Sequence, residues 1–195
     1  MRICVYGAAS ENIHPDYIEK VEELGRKLAE RGHSIVYGAG ATGLMGAVAR
    51  GVHEKGGEII GVAPTFFNVD GVLFENCTEL IRTETMRERK QIMEDNADAF
   101  IMVPGGVGTF DEFFEILTLK QLKRHNKAMT VLNVRGYYDA FVNMMTNAVE
   151  EGFVAEKNLE LFKVFDGADE MLDYIEGYEE TDFSVEEVRN IKGDK

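Results

Sequence analysis

Apolar residues follow two rhythms along this chain. Short continuous runs alternate with longer segments in which apolar positions recur every three or four residues. The runs at 2–6, 34–37, 58–63, 99–103 and 129–134 predict strands, and 78–82 and 162–165 predict two shorter ones. Pro15 opens a helix to about Arg31, with Ile18, Val21, Leu24 and Leu28 on one face, and Gly32 stops it. Further helices are predicted at about 43–55, 85–96, 109–123, 137–151 and 168–175. Strand and helix alternate throughout, and most strands are apolar at every position. That pattern predicts an α/β fold: a single-domain, Rossmann-like parallel sheet with helices on both faces. The domain is expected to span 1–177. The stretch 178–195 is acidic and loses its periodicity, so it is expected to be a peripheral tail. Its one signal is Ser184-x-x-Glu187 ahead of Val188 and Ile191, a capping box for a short helix.

Composition narrows the partners. The 195 residues are 45% hydrophobic, enough for one well-packed core. The formal net charge is −14, which argues against a nucleic-acid backbone or an anionic membrane as partner. An anionic small ligand needs a local nest of amides and one or two cations. Cys4 and Cys77 lack metal-like spacing and read as free thiols of a reducing compartment. His14, His33, His53 and His125 are scattered and read as ordinary loop or surface residues. With no long apolar run and no leader pattern, a cytoplasmic location is expected.

Two glycine-rich turns carry the chemistry. Pro104-Gly105-Gly106-Val107-Gly108-Thr109-Phe110-Asp111-Glu112 joins a predicted strand to a predicted helix. Gly105, Gly106 and Gly108 let the backbone approach a ligand, and the helix start, with Thr109, offers N–H groups and a hydroxyl to a phosphate. The other cluster, Gly38-Ala39-Gly40-Ala41-Thr42-Gly43, fits G-x-G-x-x-G as a string. It follows the second strand instead of the first, and the third strand ends Gly61-Val62-Ala63-Pro64 with no acid for a ribose. That argues against a dinucleotide. Tight packing and a mononucleotide site remain as readings.

The charged residues beside these turns have plain alternatives. Thr109-x-x-Glu112 and Thr85-x-x-Glu88 both match a capping box, so each glutamate has a structural reading. Arg89 and Lys90 read as either solvated helix charges or ligand contacts, and Asp111 as compensation of the helix dipole.

Taken together, Met86-Arg87-Glu88-Arg89-Lys90, the Pro104–Glu112 stretch and Tyr37-Gly38-x-Gly40-x-x-Gly43-Leu44-Met45-Gly46 resemble the LOG ("Lonely Guy") family of cytokinin-activating phosphoribohydrolases. So do His125-Asn126-Lys127, Gly136-Tyr137-Tyr138 and Ala148-Val149-Glu150-Glu151-Gly152-Phe153. The resemblance implies a homodimer that hydrolyses the N-glycosidic bond of a nucleoside 5′-monophosphate, either a cytokinin precursor or AMP. The products are free base and ribose 5-phosphate. It places the catalytic pair on Arg89 and Glu112 and extends substrate contacts to Ser10, Gly40, Gly43, Met86 and Lys90, with no metal or cofactor. Three departures stand out: Arg87 where the family has His, Ala39 in a usual glycine triplet, and Gly7-Ala8-Ala9-Ser10 where Cys-Gly-Ser-Ser is common. Relatives are sometimes labelled lysine decarboxylases, but no segment suggests a lysine for a pyridoxal phosphate Schiff base. The alternative on the same scaffold is a non-catalytic nucleotide or molybdenum-cofactor carrier.

Overall fold

The computed structural model describes residues 1–67, 71–180 and 182–189. Its strands are β1 (Arg2–Tyr6), β2 (Ser34–Tyr37), β3 (Ile59–Pro64), β4 (Glu79–Thr83), β5 (Ala99–Met102), β6 (Ala128–Leu132) and β7 (Lys163–Phe165). They form one seven-stranded sheet in the order β4-β3-β2-β1-β5-β6-β7, with every pairing parallel. The chain therefore builds outward from β1 to one edge, then returns to the middle with β5. Helices α1 (Pro15–Glu30), α2 (Gly43–Glu54), α3 (Met86–Asp95), α4 (Val107–Gln121) and α5 (Asp139–Glu150) lie between these strands, and α6 (Ala168–Glu176) and α7 (Val185–Arg189) follow β7.

Side chains alternate across the strands, so each face of the sheet has its own core. Ile3, Val5, Ile35, Tyr37 and Ile101 pack under α1, α2 and α6. Cys4, Tyr6, Val36, Phe100 and Met102 pack under α3, α4 and α5. This is why the central strands read as continuous apolar runs. β4 is an edge strand, with Glu79, Leu80 and Arg82 exposed, and the charges discourage a further chain from pairing there.

The register sets the site. Val5 pairs with Tyr37, and Tyr6 with Met102, so β1, β2 and β5 end at one level. The strand order reverses between β1 and β5. In open α/β sheets the ligand crevice lies outside the carboxyl ends of the strands at such a switch point.

The stretch expected to be a peripheral tail carries core residues. Ser184 and Glu187 form the capping box of α7, with Glu187 N–H on Ser184 Oγ at 3.2 Å and Ser184 N–H on Glu187 Oε2 at 2.5 Å. Phe183 and Val188 are buried in the core of the α4 face, and Gln121 and Asn158 both donate to the Val188 carbonyl. Ile191 lies outside the described residues.

Candidate active site

Both glycine-rich turns reach the crevice, but they use their backbone differently. After β2, Leu44 and Met45 N–H groups at the start of α2 donate to the Ala8 carbonyl at 2.8 and 3.3 Å, and Thr42 Oγ1 donates to the Ala9 carbonyl at 2.8 Å. Gly43 sits under that loop at φ +57°, where an added Cβ would lie 2.5 Å from the Ala9 carbonyl carbon. The amides leading α2 thus bind the loop after β1. The same turn holds residues 71–74: Ala41 N–H donates to Val72 O, and Phe74 N–H to Ala39 O, both at 2.9 Å. Ala39 adopts φ +59°, a conformation suited to glycine, which accounts for the glycine expected there by resemblance.

After β5 the carbonyls are taken, and among the described residues the leading amides are not. Pro104 O accepts from Ala8 N–H at 3.0 Å, Val103 O from Tyr138 Oη at 2.8 Å, and Gly105 O from Tyr137 Oη at 2.6 Å. Gly106 is the N-cap of α4, which has no side-chain cap, and the first helical bond runs from Phe110 N–H to Gly106 O. The Val107, Gly108 and Thr109 amides precede that bond at the positive end of the helix.

This geometry corrects the reading of Thr109-x-x-Glu112. The helix starts at Val107, so Thr109 is its third residue, not its cap, and Glu112 lies in the second turn. Asp111 likewise lies beyond the first turn and pairs with Lys90 Nζ at 3.1 Å. Thr85-x-x-Glu88 does cap its helix: Thr85 Oγ1 accepts from Glu88 N–H at 3.1 Å, and Glu88 Oε2 accepts from Glu84 N–H at 2.8 Å.

Arg89 is no solvated surface charge. One turn into α3, its side chain runs back under the sheet ends and is 10% exposed. Nε donates to the Val62 carbonyl at 3.1 Å, and one Nη donates to Glu112 Oε1 at 2.7 Å. The other Nη occupies the space where a side chain on Gly38 would begin. Gly38 is therefore the seat of the guanidinium. Burial pushes the Glu112 carboxyl above its ordinary value, and the Arg89 charge partly offsets this.

A cleft of about 500 Å³ opens over the pair. Of the residues expected from sequence, Ser10, Gly40, Met86, Arg89, Lys90, Gly106, Gly108, Thr109 and Glu112 line it. Gly43 and Gly105 do not: Gly43 packs beneath the loop after β1, and Gly105 against the Thr109 side chain, whose Oγ1 fills the place of a Cβ there. Sequence reading missed Gly38, Thr42, Met45, Phe67, Val72 and Leu73, which also line the cleft. Gly38 stood in the quoted glycine string. Val72 and Leu73 gave no local signal, because an isolated bridge from Gly40 to Leu73 brings them in.

Other groups are held elsewhere. Among the described residues no histidine lines the cleft. Burial pushes His125 down to about 4, and its Nε2 donates to the Ile116 carbonyl at 2.9 Å. Among the described residues no cluster of three or more His, Cys, Asp or Glu is placed to hold a metal. The lysine lining the cleft, Lys90, is paired with Asp111 and Glu115. Lys120 is fully buried away from it, bonded to Lys127 O and Tyr178 Oη.

Comparison with known proteins places the chain in a family. A family model described as "Possible lysine decarboxylase" matches residues 45–175. Cytokinin riboside 5′-monophosphate phosphoribohydrolase LOG of Oryza sativa subsp. japonica is 44% identical over 155 residues, covering 80% of this chain and 64% of the rice protein. Cytokinin riboside 5′-monophosphate phosphoribohydrolase LOG2 of Arabidopsis thaliana is 37% identical over 177 residues, covering 91% of this chain and 83% of that protein. Among solved structures, the molybdenum cofactor binding protein of Rippkaea orientalis superposes with a TM-score of 0.68 at 19% identity, over 90% of this chain and 94% of that one. The molybdenum cofactor carrier protein of Chlamydomonas reinhardtii gives 0.67 at 20%, over 90% and 95%. At those identities the likeness is one of fold. With the family model and the plant relatives both spanning most of its length, the chain belongs to the family described as possible lysine decarboxylases, that of the LOG cytokinin riboside 5′-monophosphate phosphoribohydrolases.

Proposed function

We propose that this protein hydrolyses the N-glycosidic bond of a purine nucleoside 5′-monophosphate, AMP or an N6-modified form, to free base and ribose 5-phosphate. The observation that carries the reading is the enclosed Arg89–Glu112 pair, 2.7 Å apart, in one cleft with the open amide end of α4. The plant relatives' names describe this reaction. The lysine decarboxylase label finds no support in Lys90 or Lys120. The carrier alternative rests on fold likeness alone and leaves the buried ion pair without a task.

The roles follow from charge. The 5′-phosphate lies on the Val107, Gly108 and Thr109 amides and the Thr109 hydroxyl. Cleavage passes through an oxocarbenium-like ribosyl cation, as glycoside hydrolysis does. Glu112 faces that cation and the ribose hydroxyls, and takes a proton from the water that adds to the anomeric carbon. The base departs with the electron pair of the broken C–N bond, and Arg89 stabilises the negative charge that builds there or on the phosphate. The Arg89 charge also favours the ionised form of Glu112, against a burial that disfavours it. Ser10, Gly40, Met86 and Lys90 complete the walls around the substrate.

Two further expectations belong to this reading. The outward stripe of α4, with Val107 84% exposed and Phe110 and Phe114 half-buried, is the surface for a homodimer. Phe113 and Leu117 of the same helix face the core instead. The two free cysteines suit a reducing, cytoplasmic location.

Incubating the protein with AMP and with isopentenyl-AMP, and following free base and ribose 5-phosphate, tests the reaction. Glu112→Gln keeps an acceptor for Arg89 and removes the charge, so turnover should fall by about 10²-fold or more with nucleotide still bound. Turnover close to wild type would remove Glu112 from the chemistry.

A further inference from the structure

We propose that Tyr137 is a positioning residue for the phosphate cradle, acting through the Gly105 peptide. This rests on the functional reading above. The turn after β5 contains three successive carbonyls, those of Val103, Pro104 and Gly105. Each is captured by another part of the chain, Val103 O by Tyr138 Oη, Pro104 O by the Ala8 N–H of the loop after β1, and Gly105 O by Tyr137 Oη. A peptide group is planar, so fixing the Gly105 carbonyl fixes the Gly106 N–H on its other side. That peptide leads directly into the N-cap of α4. Gly105 and Gly106 are the residues with the most backbone freedom in the turn. Tyr137 supplies a constraint at that point.

The surroundings suit a strut. Tyr137 sits in the turn after β6, where Arg135 and Gly136 both have positive φ, +57° and +70°. Asn133 Oδ1 accepts from Tyr138 N–H at 2.7 Å, and Arg135 pairs with Asp16 of α1 at 2.5 Å. The Tyr137 ring packs edge-on against Tyr17, 5.9 Å between centroids, and against Tyr138 at 5.0 Å. The ring is thus held on two sides, while its residue stays 41% exposed. Tyr138 differs: it is 1% exposed, and its hydroxyl satisfies the carbonyl of a buried residue, Val103. Tyr138 supports mainly the end of β5, with a further contact to the Gly105 backbone, whereas Tyr137 holds the Gly105 carbonyl itself.

Tyr137→Phe keeps the ring and deletes the hydroxyl. Ribose 5-phosphate binding, measured by titration calorimetry, should weaken about five- to tenfold. The KM for isopentenyl-AMP should rise by a similar factor, with kcat within about twofold and the melting temperature within about 2 °C of wild type. Tyr138→Phe should act mainly on stability, lowering the melting temperature more and ribose 5-phosphate affinity less than Tyr137→Phe does. Unchanged affinity in folded Tyr137→Phe overturns the proposal while the function stands. So does a loss confined to kcat or matched by a fall in melting temperature. A wild-type protein that neither binds ribose 5-phosphate nor cleaves the nucleotide overturns the functional reading, and the proposal with it.

Discussion

The turn after β2 and the turn after β5 look alike in sequence: glycines between an apolar strand and an apolar helix. The structure separates them by which backbone groups they satisfy. The first gives its leading amides to Ala8 and its tight corner, Gly43, to the loop above it. The second has its carbonyls bonded by Tyr138, Ala8 and Tyr137, and among the described residues its leading amides have no protein partner while Gly106, Gly108 and Thr109 line the cleft. A glycine-rich string marks close approach, but what approaches differs: protein backbone and an arginine in one case, open space in the other. An added Cβ at Gly38, Gly43 or Gly105 would strike protein atoms, whereas at Gly106 or Gly108 it would meet nothing within 4 Å. That is the difference between a packing glycine and a ligand-facing one.

Substitutions can break this contrast. Gly38→Ala should have the largest effect on activity, because its methyl would displace the Arg89 guanidinium. A fall in kcat/KM of about 10²-fold or more is expected, since a misplaced catalytic group costs that much. Steady-state kinetics on a folded variant would check it, and a nearly wild-type rate would mean that Arg89 finds another seat. Gly43→Ala should act on stability first. It combines φ +57° with a Cβ 2.5 Å from the Ala9 backbone, for a loss of at least about 1–2 kcal/mol on the conformational term alone. Chemical denaturation would measure it. Gly108→Ala sharpens the comparison from the other side. Its place in the first turn of α4 is open, so stability should hold or rise by up to about 1 kcal/mol. The methyl should still impede the approach of a phosphate and raise the KM for nucleotide about tenfold.

Much of the fold was legible because a doubly covered parallel sheet writes its strands as continuous apolar runs. β1 and β2 fall at the expected residues, and most other elements within two. The start of α4 was misplaced for a local reason. Thr109-x-x-Glu112 has the same letters as the working cap at Thr85-x-x-Glu88, but Gly106 caps α4 first. The seat of Arg89 beneath Gly38 joins the turn after β2 to α3, and the burial of Phe183 and Val188 depends on α4 across the chain. Contacts of that kind leave no periodic trace. The Arg89–Glu112 pairing was suggested by family resemblance, and only the three-dimensional structure gives its enclosure.

The central claim is that the open amides of α4 bind a 5′-phosphate beside that ion pair. The most direct measurement is kcat/KM for isopentenyl-AMP against isopentenyladenosine, followed across pH. Several charge-assisted hydrogen bonds, each about 1.5–3 kcal/mol, should make the nucleotide at least about 10²-fold the better substrate. Inorganic phosphate and ribose 5-phosphate should inhibit competitively. Because burial raises the Glu112 carboxyl, kcat/KM should fall on the acid side with an apparent pKa above the ordinary glutamate value of 4.5, and that limb should vanish in Glu112→Gln. Equal kcat/KM for nucleoside and nucleotide would contradict the account, because the turn after β5 would then not be a phosphate site.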